Sequence, residues 1–297
     1  MEHVIGQAQR DAFQAQVVGW FDLAERDLPW RGAQPWAVMV SEFMLQQTPV
    51  SRVLEPFAEW MSRWPTPSDL AKESPGEAVR MWGRLGYPRR ALRLHASAAA
   101  CVEHHQGHVP DSIDELRALP GVGEYTAAAI SAFAFNRRCA VLDTNVRRVH
   151  ARVFDGLAYP TTTSITHGER ERADQLLPAD PPQAARLSVA VMELGALVCT
   201  ARSPQCHTCP LQNLCAWNLQ GQPAWDGPPR RGQTYEGTDR QCRGRLLKAL
   251  QDASEPVDRS ILDAVWADAI QRERALDSLV ADGLIEPIEQ DLFALPH

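Results

Sequence analysis

The chain has 297 residues, of which 44% are hydrophobic and 23% charged, and its formal net charge is -7. These proportions are ordinary for a globular protein and exclude a disordered, collagenous or coiled-coil chain. The acidic balance argues against a protein that coats nucleic acid indiscriminately, because such binding depends on Lys and Arg neutralising phosphates. Since neither a signal peptide nor a run of about 18 apolar residues is present, we expect a cytoplasmic protein without a membrane anchor.

Arginines are concentrated in three segments, at residues 84–93, 137–152 and 240–245. Each segment could form a local basic face on this acidic protein. Each could equally be the solvated face of a helix.

Apolar residues recur at helical spacing from Asp11 to about Leu197, and Pro and Gly interrupt them at short intervals. One example of this spacing is the set Leu45, Val53, Leu54, Phe57 and Trp60. Strand-like alternation is scarce before the C-terminus. The pattern therefore predicts a mainly α fold built from many short helices.

Pro35 favours the first turn of a helix that continues from Trp36 to Thr48. Glu42 lies within this apolar segment, WAVMVSEFMLQQT. Burial would raise the pKa of Glu42, and a carboxyl that stays protonated near neutral pH can act as a general acid. The alternative is that Glu42 faces solvent or pairs with an arginine.

Residues 119–127 read LPGVGEYTA, a turn with two glycines that leads into an alanine-rich helix. Gly121 and Gly123 allow a partner to approach the backbone closely, and free amides at a helix start favour an anion. This is the helix-hairpin-helix form of phosphate binding. A plain interhelical turn is the alternative.

Asp143 follows an apolar run and precedes the helix-like segment that begins at Asn145. Its simplest role is that of an N-cap. Capping would also favour its ionised form, because backbone amides and the helix dipole stabilise a carboxylate. A protonated Glu42 with an ionised Asp143 would form an acid and an electrostatic partner.

Four of the seven cysteines form the pattern C-x6-C-x2-C-x5-C; they are Cys199, Cys206, Cys209 and Cys215. A disulfide framework would need an oxidising compartment and usually a smaller chain, so metal binding is the better interpretation. A single compact loop with one C-x2-C knuckle favours a structural 4Fe-4S cluster. Tetrahedral zinc is the main alternative, and unligated thiols are the other.

Residues 221–237 are rich in Gly, Pro and polar residues, which is typical of a linker. Beyond it, residues 238–297 form a predicted small domain with helices at 240–250, 259–266 and 271–282. A hairpin over 284–295 follows, turning at Gln290 and Asp291. Three helices and a hairpin predict a winged-helix-like module.

Taken together, the LPGVG hairpin, the aspartate twenty residues after Gly123 and the cysteine loop resemble the endonuclease III superfamily over roughly Val18 to Trp217. Further motifs are similar to MutY-type adenine DNA glycosylases. They are LPWR at 28–31, SEFMLQQT at 41–48, LGY at 85–87 and MELGA at 192–196. The resemblance implies a helix-hairpin-helix glycosylase domain over residues 1–220, with its iron–sulfur loop at 199–215.

The resemblance also implies a monofunctional glycosylase of base excision repair that hydrolyses the N-glycosidic bond of adenine mispaired with 8-oxoguanine or guanine. By this analogy Glu42 protonates the flipped adenine at N7 and later activates water. Asp143 stabilises the oxocarbenium-like sugar, and Tyr125 orients Asp143. Since Tyr125 stands where bifunctional lyases carry a Schiff-base lysine, strand cleavage is not expected. The substrate must be flipped, because the bond is out of reach in a stacked duplex.

Other family positions are expected to bind DNA or the bases. Leu28, Trp30 and Arg31 are expected to line the adenine pocket. The residues expected to fill the base stack and contact the opposite base are Gln47, Thr48, Leu85 and Tyr87. The remaining residues expected to bind DNA are Gly121, Gly123 and Asn145. For Trp30 and Leu85, plain core packing is the alternative.

The C-terminal residues do not resemble the MutT-like module with which many relatives read oxidised guanine. The expected partner is double-stranded DNA with a mispaired adenine, bound by a monomer. Two other functions stay open: a thymine or uracil mismatch glycosylase of the same superfamily, and a non-catalytic iron–sulfur DNA-binding protein.

Overall fold

The computed structural model describes residues 5–227, 235–289 and 291–297. They form two compact units, each assembled from separate stretches of chain. The first unit contains residues 5–33 and 123–227; the second contains residues 34–122, 235–289 and 291–297. The predicted linker falls partly on residues 228–234, outside the described residues, and the predicted border between residues 220 and 238 remains a prediction.

The described residues are mainly helical, which confirms the predicted fold class. The helices are α1 (Gln7–Ala24), α2 (Pro35–Leu45), α3 (Val50–Arg63), α4 (Pro67–Ala71), α5 (Pro75–Trp82), α6 (Arg89–His104), α7 (Ile113–Ala118), α8 (Glu124–Phe135), α9 (Thr144–His150), α10 (His167–Leu176), α11 (Pro181–Leu197), α12 (Ala216–Leu219), α13 (Asp239–Asp252), α14 (Arg259–Val265) and α15 (Ala269–Ala281). A π-helical turn (Ala151–Asp155) follows α9, and a 3₁₀ turn (Cys206–Thr208) lies in the cysteine loop. Within these residues, no helix is both long and apolar enough to cross a membrane.

In the first unit, α1, α9 and α11 pack around one hydrophobic core. Phe13 and Val17 of α1, Val149 of α9 and Leu194 of α11 are fully buried there. At Gly195 a Cβ atom would lie only 2.7 Å from the Asn145 Cβ, so glycine lets α11 approach α9 closely. This contact brings the start of α9 against the end of α11.

In the second unit, three tryptophans form the centre of the core. Trp60 lies 4.7 Å from Trp64 and 5.7 Å from Trp82 between ring centroids, both in edge-to-face geometry. Val53, Phe57 and Trp60 are buried at the helical spacing predicted for this segment. The edge-to-face pairs add roughly 0.5–1.5 kcal/mol each to the burial of the rings.

Helix α2 ends at Leu45, three residues before the predicted end at Thr48. Gln47 adopts a left-handed backbone (φ 57°), which a continuing helix does not allow. Pro49 follows, and the residue before a proline is disfavoured in helical conformation. Residues 46–48 therefore form a loop.

The C-terminal residues contain the three predicted helices, α13 to α15, and the predicted hairpin. The hairpin strands are β2 (Glu286–Glu289) and β3 (Leu292–Ala294), and Gln290 of its turn lies outside the described residues. A further short strand, β1 (Val257–Asp258), pairs antiparallel with β3, so the sheet order is β1-β3-β2. The sequence analysis did not predict β1, because two residues are too few for a recognisable alternation.

These C-terminal residues pack directly on α5, inside the second unit. Arg80 donates to the carbonyls of Gln251 (2.6 Å) and Ala253 (2.5 Å), which caps the last turn of α13. Gln251 donates to the Val79 carbonyl at 2.7 Å. At Gly76 a side chain would overlap the Pro296 carbonyl oxygen. The C-terminal segment is therefore an integral part of this unit's packing.

Candidate active site

Glu42 lies in the middle of α2, in the second unit, and only 6% of it is exposed. Eight other residues of this eleven-residue helix are also buried, so burial surrounds Glu42 along the helix. Glu42 is therefore buried, and the alternative that it faces solvent is wrong, while its role as a general acid remains a prediction. A glutamate at such a position is uncommon unless it has a partner or a function.

Asp143 is the N-cap of α9 in the first unit, as predicted. Its Oδ1 accepts a hydrogen bond from the Val146 amide at 2.7 Å, and its Oδ2 accepts one from the Asn145 Nδ2 at 2.7 Å. Each carboxylate oxygen therefore has its own donor. The two bonds fix the plane of the carboxylate.

Burial raises the pKa of Asp143, while the hydrogen bonds from Val146 and Asn145 and the charge of Arg148 lower it without cancelling the effect. This reverses the expectation that capping alone would determine its ionisation. The sequence shows the cap but not the depth at which the carboxyl is placed. In the structure, desolvation outweighs the cap.

Tyr125 is the second residue of α8 and packs beside Ala128, Ala129 and Val141.

The two glycines of the hairpin before α8 have different surroundings. Gly121 has φ 80°, and a Cβ there would lie 2.7 Å from the Arg93 Cβ, so the fold requires it. Gly123 has open space around it at the N-terminus of α8. Only Gly123 leaves room for an approaching group.

Leu28 and Trp30 are both buried, at 8% and 9% exposure. Arg31 is held by ion pairs with Glu25 (3.2 Å) and Glu193 (3.0 Å). Glu193 of α11 also forms a two-pronged pair with Arg26, at 2.6 and 2.8 Å. The segment proposed to line a base pocket is thus anchored to α11.

Residues 46–48 and 83–88 form two neighbouring loops of the second unit, here called the paired loops. Their residues divide into two groups. Gln47 and Tyr87 are exposed and have left-handed backbones (φ 57° and 48°). Thr48 and Leu85 are buried, and the Thr48 hydroxyl donates to the Leu85 carbonyl at 3.4 Å. Strained, exposed residues on a braced scaffold are typical of binding sites.

The buried Arg90 of α6 links the two paired loops. Its guanidinium donates to the carbonyls of Phe43 (3.0 Å), Gln46 and Gly86 (3.2 Å). Burial lowers the pKa of Arg90 to about 10, so it stays charged at neutral pH. Sequence analysis missed this role, because Arg90 sits in an arginine segment that reads either as a basic face or as a solvated one.

The arginine segment 137–152 of the first unit also contains buried arginines that bind backbone carbonyls. Arg147, Arg148 and Arg152 are 7%, 7% and 2% exposed. Arg147 binds Glu169 at 2.7 Å and the carbonyls of residues 162–164. For these three arginines both expectations, a basic face and a solvated face, are wrong.

All four cysteines of the loop line one cavity of the first unit. Arg148 donates to the carbonyls of Gly195 (2.6 Å) and Cys199 (2.7 Å). One turn later Arg152 donates to the Thr200 carbonyl (2.8 Å) and to the Cys199 Sγ (3.2 Å). The two arginines therefore hold the start of the cysteine loop against α9 and the π-helical turn.

The residues of this cavity fit an iron–sulfur cluster. Four cysteines placed around a shared cavity, with Val149, Leu194 and Trp217 as apolar walls, suit a larger polynuclear centre.

Two family models match the chain. One is the HhH-GPD superfamily base excision DNA repair protein, over residues 40–167. The other is the iron-sulfur binding domain of endonuclease III, over residues 199–215, the cysteine loop itself. An adenine DNA glycosylase of Mycobacterium tuberculosis is 52% identical over 94% of this chain and 92% of its own length. This chain belongs to the adenine DNA glycosylase family. It is therefore a DNA glycosylase of the HhH-GPD superfamily with a 4Fe-4S cluster, and DNA is its partner.

More distant relatives share the fold. A thymine/uracil-DNA glycosylase of Pyrobaculum aerophilum is 35% identical over 69% of this chain and 91% of its own. The solved structure of a thermostable thymine-DNA glycosylase has 26% identity and a TM-score of 0.66, and the match covers 72% of this chain and 98% of that one.

We expect Arg90→Lys to destabilise the second unit. A lysine ammonium cannot reach the separate carbonyls that the planar guanidinium binds, and a lost hydrogen bond to a charged group costs about 2 kcal/mol. Urea unfolding followed by tryptophan fluorescence measures the change, because Trp60, Trp64 and Trp82 lie in this unit. The exposed control Arg89→Lys should change stability by less than ~0.5 kcal/mol. Equal unfolding midpoints for the two variants would contradict the bracing role.

We expect Cys206→Ser to remove the cluster and reduce the soluble yield, because the loop loses the bonds that close it. Wild-type protein should contain about four iron atoms per chain, measured with acid-labile sulfide. Cys139→Ser is the matched control, since Cys139 is partly buried and outside the loop. Full iron content in Cys206→Ser would exclude Cys206 as a ligand.

Proposed function

We propose that this protein is a monofunctional adenine DNA glycosylase that removes adenine paired with 8-oxoguanine or guanine. The observation that carries the proposal is the burial of Glu42 in an otherwise largely apolar helix. A proton donor for a departing purine must hold its proton near neutral pH, and burial favours the protonated carboxyl. The adenine DNA glycosylase of Mycobacterium tuberculosis supports the choice of base.

In the proposed reaction, Glu42 gives its proton to N7 of a flipped adenine. The base then leaves with the bonding electrons of the glycosidic bond, and the sugar develops positive charge. Glu42, now ionised, accepts a proton from the attacking water. Flipping the nucleotide out of the stack is required for either contact.

Asp143 is proposed to stabilise the positive sugar. Its two oxygens are held by the donors on Val146 and Asn145, so no reorientation is needed as charge develops. Desolvation raises its pKa and also strengthens its attraction for a nearby cation, because little water screens it. Tyr125 is proposed to orient this carboxylate, and its phenol offers no amine for a Schiff base.

Contacts with the base opposite adenine are proposed for Gln47 and Tyr87, the exposed members of the paired loops. Thr48 and Leu85, both buried, are proposed to position them. Leu28, Trp30 and Arg31 are proposed to border the adenine pocket. Gly123, which has space around it, is proposed to let a DNA phosphate approach the start of α8.

A second candidate function is excision of thymine or uracil from mismatches. The relative from Pyrobaculum aerophilum and the thymine-DNA glycosylase structure favour it. The two candidates differ in the base that must be protonated, so the substrate decides between them.

A single-turnover assay on duplexes that differ only in one base pair tests the proposal. Adenine opposite 8-oxoguanine and opposite guanine should be excised, whereas thymine or uracil opposite guanine should remain. The product strand should break only after alkali, because Tyr125 cannot form a Schiff base. Release of thymine or uracil without adenine would replace the proposed function by the second candidate.

We expect Glu42→Gln to lose activity while keeping its affinity for the mispair. The amide has the same shape but cannot donate the proton, and general acid catalysis typically contributes about 10² to 10⁴-fold. The exposed Glu59→Gln on α3 is the control and should behave as wild type. A rate within a few-fold of wild type in Glu42→Gln would remove Glu42 from the mechanism.

We expect Asp143→Asn to lose at least ~10²-fold in excision rate, the scale of one preorganised electrostatic group, yet to melt at a higher temperature. Asn caps a helix as well as Asp does and removes the cost of burying a charge, and we expect this gain to exceed the loss of one hydrogen bond, because an amide nitrogen at the Oδ2 position cannot accept from the Asn145 Nδ2. Because the folded pKa is raised, this gain should be complete at pH above the raised pKa and disappear as the pH falls towards the ordinary value of 3.8.

Asp180→Asn is a matched control, since Asp180 is the exposed N-cap of α11. It should change neither melting temperature nor rate. In the wild type, the excision rate should fall on acidification as Asp143 takes up its proton, starting above the ordinary carboxyl range. A lower melting temperature for Asp143→Asn at neutral pH would contradict the burial argument.

A further inference from the structure

A basic groove lies within the second unit, between the paired loops and α13. One wall contains residues 83–90 and the neighbouring Arg93; the other is the exposed face of α13 that carries Arg240, Arg245 and Lys248. Its volume is ≈ 1220 Å³. This exceeds the roughly 300–1,000 Å³ of a small-molecule site, so the groove suits a polymer.

The charge of the groove is opposite to that of the chain. Its described lining contains nine arginine or lysine residues and a single carboxylate, Asp282, although the whole chain has a net charge of -7. Asp282 is already paired with Arg89 (3.2 Å) and Arg243 (2.5 Å). Arg84 and Arg245 are exposed and have no further lining carboxylate beside them. A local field of this kind attracts polyanions.

Two of the cations on α13 are held in place by aromatic rings. The Arg245 guanidinium lies 5.2 Å from the ring centroid of Trp266, and that of Arg240 lies 5.3 Å from Tyr235. Such stacking restricts both side chains before a ligand arrives, and a guanidinium that stacks through its face can donate to phosphate from its edge. The wall is thereby preorganised.

The spacing on α13 matches a nucleic-acid strand. Arg240 and Lys248 are eight residues apart, or about 12 Å along the helix at 1.5 Å per residue. That is the axial rise of three to four nucleotides at about 3.4 Å per nucleotide of one strand. At the other side, the groove includes Gln47 and Tyr87, the exposed residues of the paired loops.

We propose that this groove binds the phosphate backbone of the DNA strand that carries the base opposite the excised one. The assignment to that strand rests on the proposed function, because Gln47 and Tyr87 are proposed to contact the opposite base. The C-terminal segment then extends the contact along the same strand, through phosphates and without reading sequence.

Point substitutions test this better than truncation, because removing the C-terminal segment would uncover the face of α5 that binds Gln251. The double variant Arg84→Gln, Arg245→Gln removes one cation from each wall. The control Arg63→Gln, Arg274→Gln removes two exposed cations of the same unit that do not line the groove. Affinity for a fully paired duplex and for a mispaired duplex is measured by fluorescence anisotropy over a range of salt concentrations.

The slope of log affinity against log salt should become shallower by about 2 in the groove variant, at about 0.9 per phosphate contact, and stay unchanged in the control. Both duplexes should be weakened equally. A slope equal to that of wild type would overturn the proposal, even if adenine excision is intact. A shallower slope in a protein that excises no adenine would support the groove and reject the proposed function. Should the double variant fail to fold, Arg245→Gln alone should reduce the slope by about 1.

Discussion

In the first unit, the buried Arg148 and Arg152 donate charged hydrogen bonds to backbone carbonyls. These bonds hold α11 and the cysteine loop against α9 and the π-helical turn. Arg148 binds the carbonyls of Gly195 and Cys199, and its Nη2 also donates to the Asn145 side chain at 2.8 Å. Asn145 in turn binds Asp143. The end of α11, the cysteine loop and the candidate catalytic carboxylate thus share one guanidinium. Only arginine offers five donors in a rigid plane, so no other side chain could replace it there.

In the second unit a buried arginine also binds backbone carbonyls, and there it links two loops. Arg90 donates to one carbonyl on each paired loop, those of Gln46 and Gly86, which directly precede the left-handed residues Gln47 and Tyr87. In both units a buried cation is satisfied mainly by peptide carbonyls. Many partial charges around one guanidinium offset the loss of hydration that burial imposes. Arg90 thereby ties both paired loops to α6.

Much of this architecture could be predicted from local signals. Periodicity identified α3 and the C-terminal helices, the cysteine spacing identified the loop, and the N-cap position of Asp143 followed from its neighbours. The end of α2 was misplaced because the left-handed backbone of Gln47 was not foreseen, although Pro49 already disfavours a helical conformation at Thr48. The buried arginines were missed for a related reason: an arginine beside a helix reads the same whether it faces water or a distant carbonyl. The raised pKa of Asp143 likewise depends on burial, which arises only when the chain is folded.

The discontinuity of both units constrains how the chain folds during synthesis. Helix α1 packs against α11, and Arg26 pairs with Glu193, which is 167 residues later. The apolar face of α1 therefore stays uncovered until α11 has been synthesised. The cysteine loop leaves the ribosome soon after α11, while α5 still lacks its cover from the C-terminal segment. Contacts of such long range slow folding and extend the time during which apolar surface is exposed. Maturation of the cluster loop can thus begin before the other unit is complete.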